Sequence, residues 1–273
     1  MKRLRPVIME ERLFEHGAVS LSTGAIHTVK PLEVKIPKGR LTVVTGVSGS
    51  GKTTLILESL VPGMEAAIAK APLPSHVLSV DPAGISQVKL IDAQKEPAVT
   101  MDCGGLELHI CRCATEVDYM INVPVMKGHC QTKITCALKN MKGMLPNSEK
   151  RRFHAMGLHD PIGHLALGIS QNFILVDNIC GDLDFEDGGN PFIMNRLFAG
   201  LDPVLIDAYV CEELHYKPED VPYVKMAEEL GVGSADLTRL SIRQIGEIGE
   251  KRVIPEKRKI VELRDVCQHI PLP

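Results

Sequence analysis

Leu32, Val34 and Ile36 alternate with Glu33, Lys35 and Pro37. That period of two predicts a half-buried strand, with Lys38-Gly39 turning the chain after it. Leu41 to Thr45 predicts a second, more apolar strand, followed by a glycine-rich stretch. Leu55, Ile56 and Leu57 then predict a helix with no breaker until Pro62-Gly63. Further along, Leu106, Leu108 and Ile110 alternate, and Val117 to Val123 forms a mostly apolar run closed by Pro124. The loop PVMKGHCQT precedes Ile134, Leu138, Met141 and Leu145, which recur at helical spacing. Thr132 is the expected N-cap of that helix and Pro146 its stop. Asp160–Ser170, Pro203–Leu214 and Pro222–Leu230 read as helices, Phe173–Val176 as a buried strand, and Ile260–Leu263 as a final strand. Strands interleaved with helices predict an α/β chain: a P-loop strand–loop–helix segment joined to a second α/β module.

Composition narrows the function classes. The 273 residues carry 31 Lys+Arg against 34 Asp+Glu, a formal net charge of -3. This excludes a strongly basic nucleic-acid coat and an acidic disordered tail. Hydrophobic residues make up 44%, enough for a sizeable core. With aromatics at 4% and no Trp, a base-stacking platform is not expected. The 8 Cys include no CxxC pair, which fits reduced thiols and a cytoplasmic setting. No signal peptide and no membrane span are expected.

The strongest chemical signal is Gly46-Val47-Ser48-Gly49-Ser50-Gly51-Lys52-Thr53, a full match to GxxxxGK[ST]. Gly46, Gly49 and Gly51 let backbone N–H groups turn in around a phosphate, where a side chain would obstruct. The helix that follows aims its positive end at the same anion. The Lys52 ammonium reaches the outer phosphates, and the Thr53 hydroxyl ligates Mg²⁺ carried by the nucleotide. Ser48, Ser50 and Thr54 complete the expected nucleotide-binding set. The bland alternative is a loop that merely turns the chain.

The words KGRLTVVTGVSGSGKTTLILESL, EVKIPKGRLTVVTG and SHVLSVDPAGISQVKLIDA resemble UvrA, the ATP-binding-cassette component of the UvrABC excinuclease, over about residues 10–93. The resemblance implies ATP and Mg²⁺ as cofactors and, by family likeness only, DNA as a partner. The departures are substantial: no CxxC zinc module, no LSGGE-like signature and no Walker B acid in this portion. Phe173-Ile174-Leu175-Val176-Asp177 imitates a Walker B strand, but Asn178 stands where the catalytic Glu belongs.

Residues 94–105, QKEPAVTMDCGG, form the expected join between a 1–93 segment and a 106–273 module. Beyond it, EVDYMINVPVMKGHCQTKITCALKNMKGMLP, LVDNICGDLDFEDGGNP and GLDPVLIDAYV resemble the domain of unknown function 362 family (DUF 362) over about 100–240. That family name implies no reaction. Some relatives carry iron–sulfur motifs, but no ferredoxin-like Cys run occurs here, so no cluster is expected.

Lys127, His129, Lys133, Lys139, Lys142 and His154 gather within a short stretch. The expected anion pocket comprises Lys127, Gly128, His129 and Lys139, with Lys127 and His129 as catalytic candidates. Gly128 permits close backbone approach, and the following helix offers its N–H groups to a phosphate or carboxylate. Lys139 and Lys142 lie three apart and would share a helix face. The alternative is a solvated basic face.

Asp177, Asp182, Asp184, Glu186 and Asp187 sit among glycines and would suit a cation, but read better as a solvated loop. Cys111 and Cys113, on one strand face, fit small hydrophobes better than metal ligands. Two functions follow. The first is an ATP-binding fusion protein with an incomplete cassette segment. The alternative is a DUF 362-like enzyme or cofactor-handling domain that uses the Lys127/His129 pocket, with a vestigial P-loop.

Overall fold

Val19, Leu21 and Thr23 are buried on alternate positions of β1 (Ala18–Thr23). This strand is the centre of a three-stranded antiparallel sheet, between β2 (Leu32–Pro37) and β3 (Val77–Asp81). The predicted alternation of β2 is present, with Val34 opposite Leu21 and Ile36 opposite Val19. This computed structural model describes residues 13–39, 42, 44, 51–86, 91–93, 95–183, 191–239, 242–246 and 249–253. Gly46, Ser48, Gly49 and Ser50, the Leu41–Thr45 strand as a unit, Asp184, Glu186, Asp187 and Ile260–Leu263 lie outside the described residues.

A helix starts at Lys52, immediately after Gly51. Pro62-Gly63 does not stop it. A π-helical stretch (Thr54–Leu60) runs into α1 (Val61–Ala69), and Pro62 falls in the first turn after the change of hydrogen-bond register. A missing N–H is tolerated there. Gly63 is needed for close packing on β3, since a Cβ would lie 2.8 Å from Val80 Cγ2. The helix ends instead at Lys70, whose φ of 54 is left-handed.

The second part is mixed α/β. β4 (Ala98–Asp102), inside the composition break, forms a hairpin with β5 (Glu107–Cys111). Leu108 and Ile110 of β5 are buried as their alternation predicts. The run Val117–Val123 is not one strand. The chain forms a short helix, α2 (Arg112–Glu116), and pairs only at β6 (Ile121–Asn122). Val117 and Tyr119 stay exposed, because the parallel partner strand begins opposite Ile121. That partner is β9 (Phe173–Asp182), which also pairs antiparallel with β10 (Pro191–Gly200). The chain between β6 and β9 holds a hairpin of β7 (Lys127–His129) and β8 (Lys133–Thr135). It also holds three helices: α3 (Ala137–Asn140), α4 (Asn147–Met156) and α5 (His159–Gly168).

α6 (Pro203–Glu213) and α7 (Pro222–Glu229) follow β10. Asp202 caps α6, accepting from the Val204 and Leu205 N–H groups at 2.9 and 3.0 Å. Ile174 and Val176 of β9 share one core with Leu138, Leu165, Val204, Val210 and Tyr223. The core therefore lies on one face of the sheet, whereas Ile121 and Leu197 are exposed. A last hairpin joins β11 (Ile242–Gly246) to β12 (Gly249–Val253).

Candidate anion-binding site

Lys127 and His129 lie on a β-hairpin, not in a loop. Lys127 pairs with Thr135, Gly128 with Ile134, and His129 with Lys133. The helix expected from Thr132 starts only at Ala137. Local turn chemistry overrides the apparent helical spacing: His129 Nδ1 accepts from the Gln131 and Thr132 N–H groups at 3.1 and 3.3 Å. The Thr132 hydroxyl donates to the Ile134 carbonyl at 3.1 Å instead of capping a helix. Lys133 adopts a left-handed φ of 63. Its ammonium lies 5.2 Å from the Tyr216 ring centroid and 3.9 Å from Asp220 Oδ1. Ile134 is buried as expected, but from a strand.

Directly opposed residues of an antiparallel pair project to the same face. Lys127 and Thr135 are therefore neighbours, and Lys139 Nζ donates to Thr135 Oγ1 at 3.2 Å. Lys139 is only 7% exposed. The structure thus brings Thr135 and Lys139 together next to Lys127, with His129 and Lys133 two pairs further along the hairpin. Gly181 lets β9 pass close to Met126, the residue before Lys127. A Cβ at this position would lie 2.5 Å from the Met126 carbonyl oxygen, so β9 can run this close only with glycine.

The N–H groups that open α3 are not offered to a ligand. Asp207, fully buried in α6, accepts from the Ala137 and Leu138 N–H groups at 2.7 and 3.2 Å. Burial pushes the Asp207 carboxyl up to about 7, against the pull of hydrogen bonds from Leu138, Ala137, Cys136 and Tyr223. His159 stacks on Tyr223 with ring centroids 5.7 Å apart. Burial holds the His159 imidazole below its usual range; Lys133 and Lys139 push the same way, and a hydrogen bond with the Gln131 backbone opposes them.

Asn122 lies at the C-terminal end of β6 and joins these elements. Its amide donates to the Ala137 carbonyl at 2.9 Å and to Gln171 Oε1 at 2.6 Å, and its oxygen accepts from Asn140 Nδ2 at 2.6 Å. Asn178, in the middle of β9, is buried with neither amide atom hydrogen-bonded among the described residues.

Lys139 and Lys142 do not share one regular helix face, because α3 ends at Asn140 and a 3₁₀ turn (Met141–Met144) follows. Lys142 Nζ lies 2.9 Å from His154 Nε2 on α4. Burial is the main cause that lowers the His154 pKa, followed by Lys142 and then Lys139. Burial also lowers the Lys142 pKa, with Lys150 adding to it. Glu149 on the same helix faces elsewhere. Its buried carboxylate takes His109 Nδ1 at 3.0 Å and Arg152 Nη1 at 2.7 Å.

Other candidates separate. Asp177 does not end a strand, since β9 continues to Asp182, and its Oδ1 accepts from the Ile179 N–H at 3.0 Å. Cys111 closes β5 while Cys113 lies in α2, so the two thiols do not share a strand face. Among the described residues no group of three or more His, Cys, Asp or Glu is placed to hold a metal ion. No described helix is long and apolar enough to cross a membrane. Sequence reasoning missed Asp207, Asn122, Thr135 and His159. Asp207 did carry a signal, as a lone acid between Ile206 and Ala208 in an apolar run.

Short N-terminal stretches are similar to UvrABC system protein A. The protein of Chlamydia muridarum is 51% identical over 59 residues, which are 22% of this chain and 3% of that protein. That of Clostridium perfringens is 38% identical over 91 residues, 32% of this chain and 10% of that protein. The thylakoid-associated protein sll1697 of Synechocystis is 26% identical over 140 residues, 48% of this chain and 44% of that protein. The chain thus spans less than half the length of each of these relatives. No solved structure matches. The family described as "Domain of unknown function (DUF362)" matches residues 78–212, beginning and ending earlier than the resemblance over about 100–240 implies. The hairpin, the nearly buried Lys139 of α3 and the Asp207 cap all fall within that span, and residues 78–212 are a DUF362 domain.

Proposed function

We propose that the DUF362 domain binds a small phosphate- or carboxylate-bearing ligand at Lys127, Gly128, His129 and Lys139. We propose further that residues 46–53 are a vestigial P-loop which this binding does not need. Lys139 carries the reading: a nearly buried lysine on α3 whose ammonium donates to Thr135, the residue paired with Lys127, and which adds to the burial that depresses His154 and His159. Cations converging on one face favour an anion. With Nδ1 accepting loop N–H groups, neutral His129 carries its proton on Nε2, a donor suited to the same anion. His129 and Lys127 are then the groups placed to move a proton if chemistry follows binding. Inorganic phosphate should raise the thermal unfolding temperature of the full chain. Lys127→Ala should remove that protection and leave the ligand-free melting temperature almost unchanged. Equal protection in both proteins would reduce the cluster to a solvated face.

Nucleotide binding is the second reading. Gly51 has a φ of 91, and the helix starts at Lys52 with Thr53 and Thr54 in its first turn. That is the junction at which a P-loop passes its phosphate to a helix N-terminus. Against it, the excinuclease relatives share only a small fraction of their length with this chain. Titration with Mg-ATP separates the two: binding that Lys52→Ala abolishes supports a working loop carrying Mg²⁺ on Thr53, and no binding supports a vestige.

A further inference from the structure

We propose that Lys142 and His154 form a carbonyl-reactive amine site, which takes an aldehyde or ketone bearing a carboxylate or phosphate. The proposal is independent of the Lys127/His129 reading.

The geometry is unusual for a surface lysine. Lys142 Nζ lies 2.9 Å from an imidazole nitrogen rather than a carboxylate. The nearest acid on α4, Glu149, is already held by His109 and Arg152. Lys150 adds like charge from α4. Partial burial and this cation favour the neutral amine, the nucleophilic form of lysine. His154 is exposed, so the pair opens to solvent.

In the step proposed, the neutral Lys142 nitrogen attacks the carbonyl carbon, forming the C–N bond as the carbonyl π pair moves to oxygen. His154 accepts a proton from nitrogen and passes it to the oxygen, giving the carbinolamine; a second proton follows the same route, and the oxygen leaves as water to give the imine. Lys150 would attract the anionic substituent of the carbonyl compound.

The test is labelling of the full chain with glyoxylate and cyanoborohydride near pH 7, followed by peptide mapping. Cyanoborohydride supplies the hydride that converts the imine to a stable secondary amine. Lys142 should be modified several-fold faster than Lys95 or Lys225, because partial burial and Lys150 lower its pKa and favour the neutral amine. The side chains of these two comparators are 85% and 61% exposed. His154→Gln, at an exposed position, should cut the Lys142 rate several-fold and leave the other lysines unchanged. Acetaldehyde, which lacks the carboxylate, should favour Lys142 less than glyoxylate does. Modification of Lys142 at the rate of Lys95 and Lys225 overturns the proposal. An unaltered rate in His154→Gln removes the proton-transfer role, and equal preference for the two aldehydes removes the anionic class.

Discussion

Asp207 on α6 caps the helix that carries Lys139 from seventy residues away, its carboxylate taking the Ala137 N–H at 2.7 Å and the Leu138 N–H at 3.2 Å. Two amides at a buried helix start would otherwise go unpaired, at a cost of about 1–3 kcal/mol each. The same contact fixes α3, and with it the point from which Lys139 reaches Thr135.

That cap predicts a pH dependence. In the folded chain Asp207 keeps its proton up to about pH 7, against 3.8 for an ordinary aspartate. Between these values the folded state binds more protons than the unfolded one, so stability falls as pH rises from about 4 to about 7 and levels off above. The contribution is at most about 4 kcal/mol. Urea unfolding at pH 4.5 and 7.5 should show this loss in the wild type. Asp207→Asn keeps one amide acceptor and should be less stable at pH 4.5 but flatter across the window. An unchanged slope would contradict the assignment.

Asn122 predicts a coupled cost. Asn122→Ala removes a buried side chain and leaves the buried Ala137 carbonyl, the half-buried Gln171 and the exposed Asn140 each short of a partner. Destabilisation of about 2–4 kcal/mol is expected from chemical denaturation. In a double-mutant cycle Asn140→Ala should couple to it by more than about 0.5 kcal/mol, whereas independent sites would add.

Part of this fold is legible in the sequence. Alternation alone locates β2 and the buried face of β5, and Asp202-Pro203 marks the start of α6 through cap chemistry and a fixed φ. The region around Lys127 is not legible in the same way. Ile134, Leu138 and Met141 are all buried, as helical spacing predicts, but the first is buried from a strand and the others from helical turns. Spacing records burial, not the backbone that produces it. The turn that decides the matter rests on His129 Nδ1 and on a left-handed Lys133, neither a glycine nor an asparagine. Asp207 stands out locally as a lone acid in an apolar run, but its partners lie about seventy residues away, so the pattern marks the residue without naming what it holds.

Gly181 predicts a change in binding with limited loss of fold. Gly181→Ala places a methyl against the Met126 carbonyl and forces β9 away from the start of β7, next to Lys127. Phosphate affinity should fall severalfold in calorimetry, while far-UV circular dichroism stays close to wild type. Undiminished affinity would show that Lys127 needs no such placement.

Calorimetric titration of the full chain with inorganic phosphate, in wild type and in Lys139→Met, tests the anion site most directly. Methionine keeps the buried stem of Lys139 and removes only its charge and its donor. Saturable binding to the wild type that weakens at least about tenfold in Lys139→Met, with both proteins folded, is the predicted result, since one charge-assisted hydrogen bond is worth about 1.5–3 kcal/mol. Equal affinities in the two proteins, or heats that do not saturate in the wild type, would contradict it.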